Sequence, residues 1–95
     1  MPAIRGFAWD DENEEELARH GLTLAQVDEV LSSTHLVQRN KRRRRATHRI
    51  VGRDNGGAYL TIPIQPTTDP AIWRPVTGWR STDSERALLE RGVSQ

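Results

Sequence analysis

The stretch from Asn40 to Arg53 carries seven cations and no carboxylate. Lys41, Arg42, Arg43, Arg44 and Arg45 are consecutive, and Arg49 and Arg53 follow at intervals of four. Like charges repel, so such a run costs free energy unless something anionic offsets it. Guanidinium groups meet phosphate oxygens in pairs, and contacts of this kind position a nucleic acid without reading its bases. The chemistry on offer is phosphate binding, with Lys41 to Arg45 plus Arg53 as contacts to a nucleic-acid backbone. Arg49 and Arg53 also fit a second role, as strand-edge charges that block sheet-to-sheet pairing. His48 is the one side chain in the block that titrates near neutral pH. It is either an exposed strand residue or a proton carrier. Farther along, Arg74 and Arg80 flank Trp79. An aromatic between two arginines is a base-stacking platform or a piece of core.

The acidic counterpart lies at Asp10, Asp11, Glu12, Glu14, Glu15 and Glu16, so a net charge of +1 conceals a dipole. The acidic block could fold back onto the basic one. At 95 residues the chain is expected to form a single domain. With 35% hydrophobic residues its core is modest, and a partner or self-association would help to complete it. There are no cysteines, which rules out disulfides and thiolate metal sites and suits a reducing cytoplasm. The N-terminus has no apolar signal region and no window approaches a membrane span, so no membrane role is expected. No metal or cofactor site is suggested.

These residues must be positioned by a small set of elements. Phe7-Ala8-Trp9 reads as a short strand, with Trp9 and Trp73 assigned to the core. Asp10 or Asp11 caps a helix, Asp11 with Glu14 resembling a capping box, and Gly21 ends it next to a structural His20. Thr23 and Gln26 open a second helix whose Leu24, Val27, Val30 and Leu31 share a face. His35 is expected in a solvated loop. Strands follow at 36–39, 48–51 and 58–64, with a tight turn over Asp54-Asn55-Gly56-Gly57. Pro63 lacks a ladder N–H and places its strand at an edge or cuts it short. Residues 65–71 read as loop and 72–79 as the last strand. Thr82 and Glu85 make a third capping box, and Gly92 closes that helix. The order is β-α-α-β-β-β-β-α: an α+β domain with a small twisted antiparallel sheet and helices on one side.

The segments F-A-W-D-D-E-N (7–13), A-R-H-G-L (18–22), R-I-V-G-R-D-N-G-G-A-Y-L-T-I (49–62) and R-P-V-T-G-W-R-S-T-D-S-E-R (74–86) resemble, in order and spacing, the BrnT family of toxins over residues 6–91. The resemblance implies a RelE-like fold, metal-independent ribonuclease activity, and a ribbon-helix-helix antitoxin as partner in a hetero-oligomer. Where that family ends its last strand with serine, a small residue and arginine, this chain has Thr77, Gly78 and Trp79, with Arg80 one step on. Its Glu-x-Arg element falls at Arg45 and Thr47. Cleaving RNA without a metal requires a proton acceptor for the 2′-hydroxyl, a ligand for the developing phosphorane charge and a proton donor for the leaving oxygen. Arg49, Arg74 and Arg80 are the expected phosphate clamp, with Arg53 assisting, His48 as proton carrier and Trp79 stacking a base. Strand alternation also predicts a difficulty, because His48 and Arg49 diverge to opposite faces if the strand is regular. The alternative reading is a non-catalytic nucleic-acid-binding or partner-binding protein on the same fold.

Overall fold

A computed structural model of the chain describes residues 4–40 and 45–94. The elements are β1 (Gly6–Phe7), α1 (Asp11–Arg19), α2 (Leu24–Val30), β2 (His35–Arg39), β3 (His48–Arg53), β4 (Tyr59–Pro66), β5 (Ile72–Pro75), β6 (Trp79–Arg80) and α3 (Asp83–Ser94). The sheet order is β1-β5-β4-β3-β2, with β6 on the β5 side of β4. The class is α+β, as the residue pattern predicts. The sheet is open and mixed rather than wholly antiparallel, because β1 runs parallel to β5.

Local chemistry accounts for the helix starts. Asp10 caps α1 by accepting from the Asn13 N–H at 2.9 Å, and Asn13 Oδ1 accepts from the Asp10 N–H at 2.9 Å. The box is thus Asp10–Asn13 rather than Asp11–Glu14. Asn13 is chosen because its amide also donates to Ala8 O and Pro75 O, at 3.0 and 3.1 Å, which a carboxylate cannot do. This fully buried side chain therefore ties α1 to the end of β5. The expected boxes at Thr23–Gln26 and Thr82–Glu85 both form. Gly21 takes a φ of 75° after α1, and Gly57 a φ of 88° in the hairpin turn.

The two faces of the sheet follow from register. Ile50 pairs with Ile62, and Val51 with Thr61. Ile50, Ile62, Ile64 and Leu60 pack with Leu17, Leu22, Val27 and Val30, so α1 and α2 cover one face. Close approach is marked at Gly52, where a Cβ would lie 2.6 Å from Val30 Cγ1. The alternate residues Arg49, Val51 and Thr61 face the other way, and α3 lies on them. The helices are therefore on both faces, not one. The cause is that Val51 and Thr61 are fully buried and need a cover, which Leu89 and Glu85 of α3 help to supply.

The expected last strand over 72–79 is split into β5 and β6. Gly78 is drawn into the first-face core, where a Cβ would come within 2.6 Å of Ile62 Cδ1 and 2.8 Å of Leu17 Cδ2. The strand breaks at this close approach, over residues 76–78, where Val76 keeps a single bond to β4. The break also explains Pro63, which sits inside a central strand rather than at an edge. Its carbonyl accepts from the Val76 N–H at 2.9 Å, so its backbone faces the broken segment and its missing N–H interrupts no pairing with β3. Two smaller expectations also differ. His35 lies half-buried in β2, its Nδ1 2.7 Å from Ser33 O. The α3 helix continues through Gly92, beside Leu36 of β2.

Candidate nucleic-acid interface

The second face is only partly covered. Between α3, β2, β3 and the Val76–Trp79 segment lies a groove of about 1130 Å³. Leu36, Ala46, Pro63, Val76 and Leu88 supply its apolar lining, Arg45 a cation and Asn40 an amide. Arg49, Gln38 and Trp79 form its polar floor. The run Lys41, Arg42, Arg43 and Arg44 lies outside the described residues. Both residues that bracket it, Asn40 and Arg45, line this groove.

Arg49 is held in place within the groove. Its Nε and Nη2 donate to Gln38 Oε1 at 3.3 and 3.1 Å, and its Nη1 lies 3.5 Å from Glu85 Oε2. Gln38 stands opposite Arg49 in the β2–β3 ladder, which puts both side chains on this face. Glu85 is 8% exposed and serves several donors at once. It accepts from the Thr82 N–H at 2.8 Å and from Trp79 Nε1 at 3.1 Å. Burial opposes its charge, but the Thr82 N–H, the indole, the Thr61 hydroxyl and Arg49 outweigh it and hold the carboxyl below its ordinary value. Glu85 and Gln38 are the site residues that sequence reasoning missed. The capping box revealed the local role of Glu85, whereas its contact with β3 is a tertiary fact.

Of the four expected catalytic residues, Arg49 alone faces the groove. His48 is on the opposite face, as strand alternation predicted. It stacks edge-on against Trp73 with centroids 5.0 Å apart. Burial, then the charge of Arg39, lowers its pKa. Arg80 pairs with Leu60 and points away from Trp79, which pairs with Thr61. Arg74 is taken by the acidic block: its Nε and Nη2 donate to Asp10 at 2.7 and 3.1 Å, and Nη2 reaches Glu12 at 3.3 Å. The Asp10 hydrogen bond raises its pKa further. Arg74 is therefore a structural tie across 64 residues rather than a free phosphate ligand.

Arg45, which lines the groove, donates to the same Glu12 oxygen at 2.9 Å. Among the described residues the expected fold-back of acid onto the basic block is seen at this one pair, through a carboxylate that is itself 67% exposed. Arg53 is exposed and lies 5.5 Å from the centroid of the Tyr59 ring. Trp79 is half-buried, its ring fixed by Glu85. Trp73 is core, as expected, while Trp9 is only half-buried and donates to Asp28 at 3.3 Å. Among the described residues no helix is long and apolar enough to cross a membrane. No protein-family model matches the chain, and no curated protein matches it.

Proposed function

We propose that this protein acts on RNA as the toxin of a BrnT-like toxin–antitoxin pair, taking a single strand into the groove beside α3. The observation that carries this reading is the groove itself, where an indole ring and a positioned guanidinium lie on the floor and Arg45 stands at the mouth. Bases stack on aromatic faces whatever their identity, and a cationic rim tracks the backbone. In this reading Arg49 binds a phosphate, exchanging its long Nη1 contact with Glu85 for a phosphate oxygen. Gln38 keeps the fork oriented meanwhile. Trp79 stacks a base, while Arg45 and the adjoining cation run hold the flanking phosphates. The chemical step then rests on Arg49 and Glu85 instead of the wider set the sequence suggests.

Binding without cleavage is the second reading, favoured by one observation. Glu85 already accepts from the Thr82 N–H and the indole, so it has little capacity left to take a 2′-hydroxyl proton. A ribbon-helix-helix antitoxin is the partner the toxin reading implies. An acidic segment of it would compete with RNA for this groove.

The test is to incubate purified protein with single-stranded RNA, following binding and product lengths, and to induce the protein in cells while recording growth. Four to six phosphate contacts predict a salt slope of roughly −3 to −4 in log affinity against log salt. Arg49→Ala is expected to slow cleavage by about 10²–10³-fold, with lysine a poor substitute. Cleaved RNA with growth arrest supports the first reading, and bound but intact RNA supports the second. A flat salt response sinks both.

A further inference from the structure

Arg53 is not in the groove, and its surroundings form a separate constellation. The Tyr59 ring carries two guanidinium groups: Arg86 of α3 at 4.4 Å and Arg53 of β3 at 5.5 Å from the ring centroid. Both arginines are exposed, and among the described residues neither enters an ion pair. The nearby carboxylate, Glu90, sits at the other end of the ring, where it accepts from the Tyr59 hydroxyl at 3.4 Å. Two like charges gathered on one small aromatic repel each other, and the ring quadrupole offsets only part of that cost. An anion within reach of both would offset the rest. Stacking also restricts both forks, so less freedom is lost when they grip a ligand.

We propose that Arg53, Arg86 and Tyr59 form a second phosphate site, which takes a backbone phosphate of an RNA strand that continues beyond the groove. The inference rests on the RNA reading of the groove. Arg53 lies four residues along β3 from Arg49, on the same face, at a Cα separation of about 13 Å for an extended strand. Buried Val51 stands between them under α3. A strand leaving the groove must therefore pass over the start of α3 to reach the clamp, so only a longer ligand touches both. A phosphate suits this site better than a protein partner would. The clamp is flanked by exposed Asn55, Gly56 and Gly57, without the apolar centre that protein interfaces use.

The experiment compares wild type with the Arg53→Ala/Arg86→Ala double variant on single-stranded RNA of about four and about twelve nucleotides, the range over which such sites vary. With the longer strand the double variant is expected to bind more weakly and to lose about 0.7 from the salt slope, the share of one phosphate on a single strand. With the shorter strand the two proteins should behave alike. Arg53→Lys/Arg86→Lys keeps both charges on a folded chain and should retain the slope while losing affinity, because it lacks the forks. An unchanged slope on the longer strand, while Arg49→Ala still weakens binding, overturns the clamp alone. Absence of RNA binding by the wild type overturns the groove reading and the clamp with it. Binding of polyglutamate that the double variant loses, with RNA binding intact, overturns the clamp in favour of an acidic protein.

Discussion

Replacing Glu85 should loosen the second face in a graded way. In Glu85→Ala the Thr82 N–H, the Trp79 indole and Arg49 all lose one shared acceptor. Losing a cap costs about 1 kcal/mol, and leaving buried donors unpaired costs about 1–3 kcal/mol. The terms overlap because one carboxylate serves every donor, so a total of about 2–4 kcal/mol is expected. At about 4–8 °C per kcal/mol for a domain of this size, Tm falls by roughly 8–32 °C. Glu85→Gln keeps a carbonyl acceptor and loses only the charge, so it should cost about 1–2 kcal/mol. The pH dependence supplies an internal check. The folded carboxyl has a depressed pKa, so its stabilisation is present above the unfolded value near 4.5 and is lost as pH falls through the folded value. Thermal unfolding followed by circular dichroism should therefore show a gap between wild type and Glu85→Gln that is constant near neutrality. The gap should close in acid, where protonated Glu85 resembles glutamine. If alanine and glutamine are equally harmful, or the gap ignores pH, the carboxylate does not hold α3 to the sheet in the way described.

Glu12→Gln should release Arg45, tightening RNA binding and steepening the salt slope by about 0.7. Unchanged binding would mean that Glu12 does not compete with phosphate. Gly78→Ala forces a methyl against Ile62 and Leu17 and should cost about 1–3 kcal/mol in urea unfolding. A neutral result would mean that the 76–78 segment shifts freely. His48→Gln should leave RNA affinity and any cleavage intact, since the ring lies on the face away from the groove. Loss of one limb of a pH–rate profile in that variant would return His48 to the reacting centre.

What could be read in the sequence was local. Thr23–Gln26 and Thr82–Glu85 announce helix starts because capping chemistry acts within four residues. The divergence of His48 and Arg49 needed only the two-residue period of a strand. Arg45 and Arg49, which line the groove, were visible as charge. What escaped depended on distant partners. Asp10 and Arg74 are 64 positions apart, and nothing near either shows that one neutralises the other. The split of the last strand depends on Gly78 meeting Ile62 and Leu17, which becomes visible only once α1 is in place. Asn13 illustrates the same point: its identity is dictated by the carbonyl of Pro75, so a local reading favoured Glu14 for the box. The expectation of helices on one side of the sheet also missed that α3 lies on the second face, where it borders the groove.

The parallel pairing of β1 with β5 constrains the order of assembly. Gly6 and Phe7 find their partners only at Ile72 and Trp73, and Arg5 and Ala8 bond to Ala71 and Trp73 at 2.8 and 2.9 Å. The β2–β3–β4 hairpins can pair from neighbouring chain, whereas the first strand must wait for most of the polypeptide to be made. Until then Arg45 has already emerged with Glu12 undocked, and Arg74 meets Asp10 and Glu12 only through that same closure. A growing chain beside the ribosome would thus pass through a stage in which its cations are less neutralised than in the finished protein. The N-terminal segment is in this sense the clasp, fastened last, that brings Asp10 and Glu12 to Arg74 and Arg45.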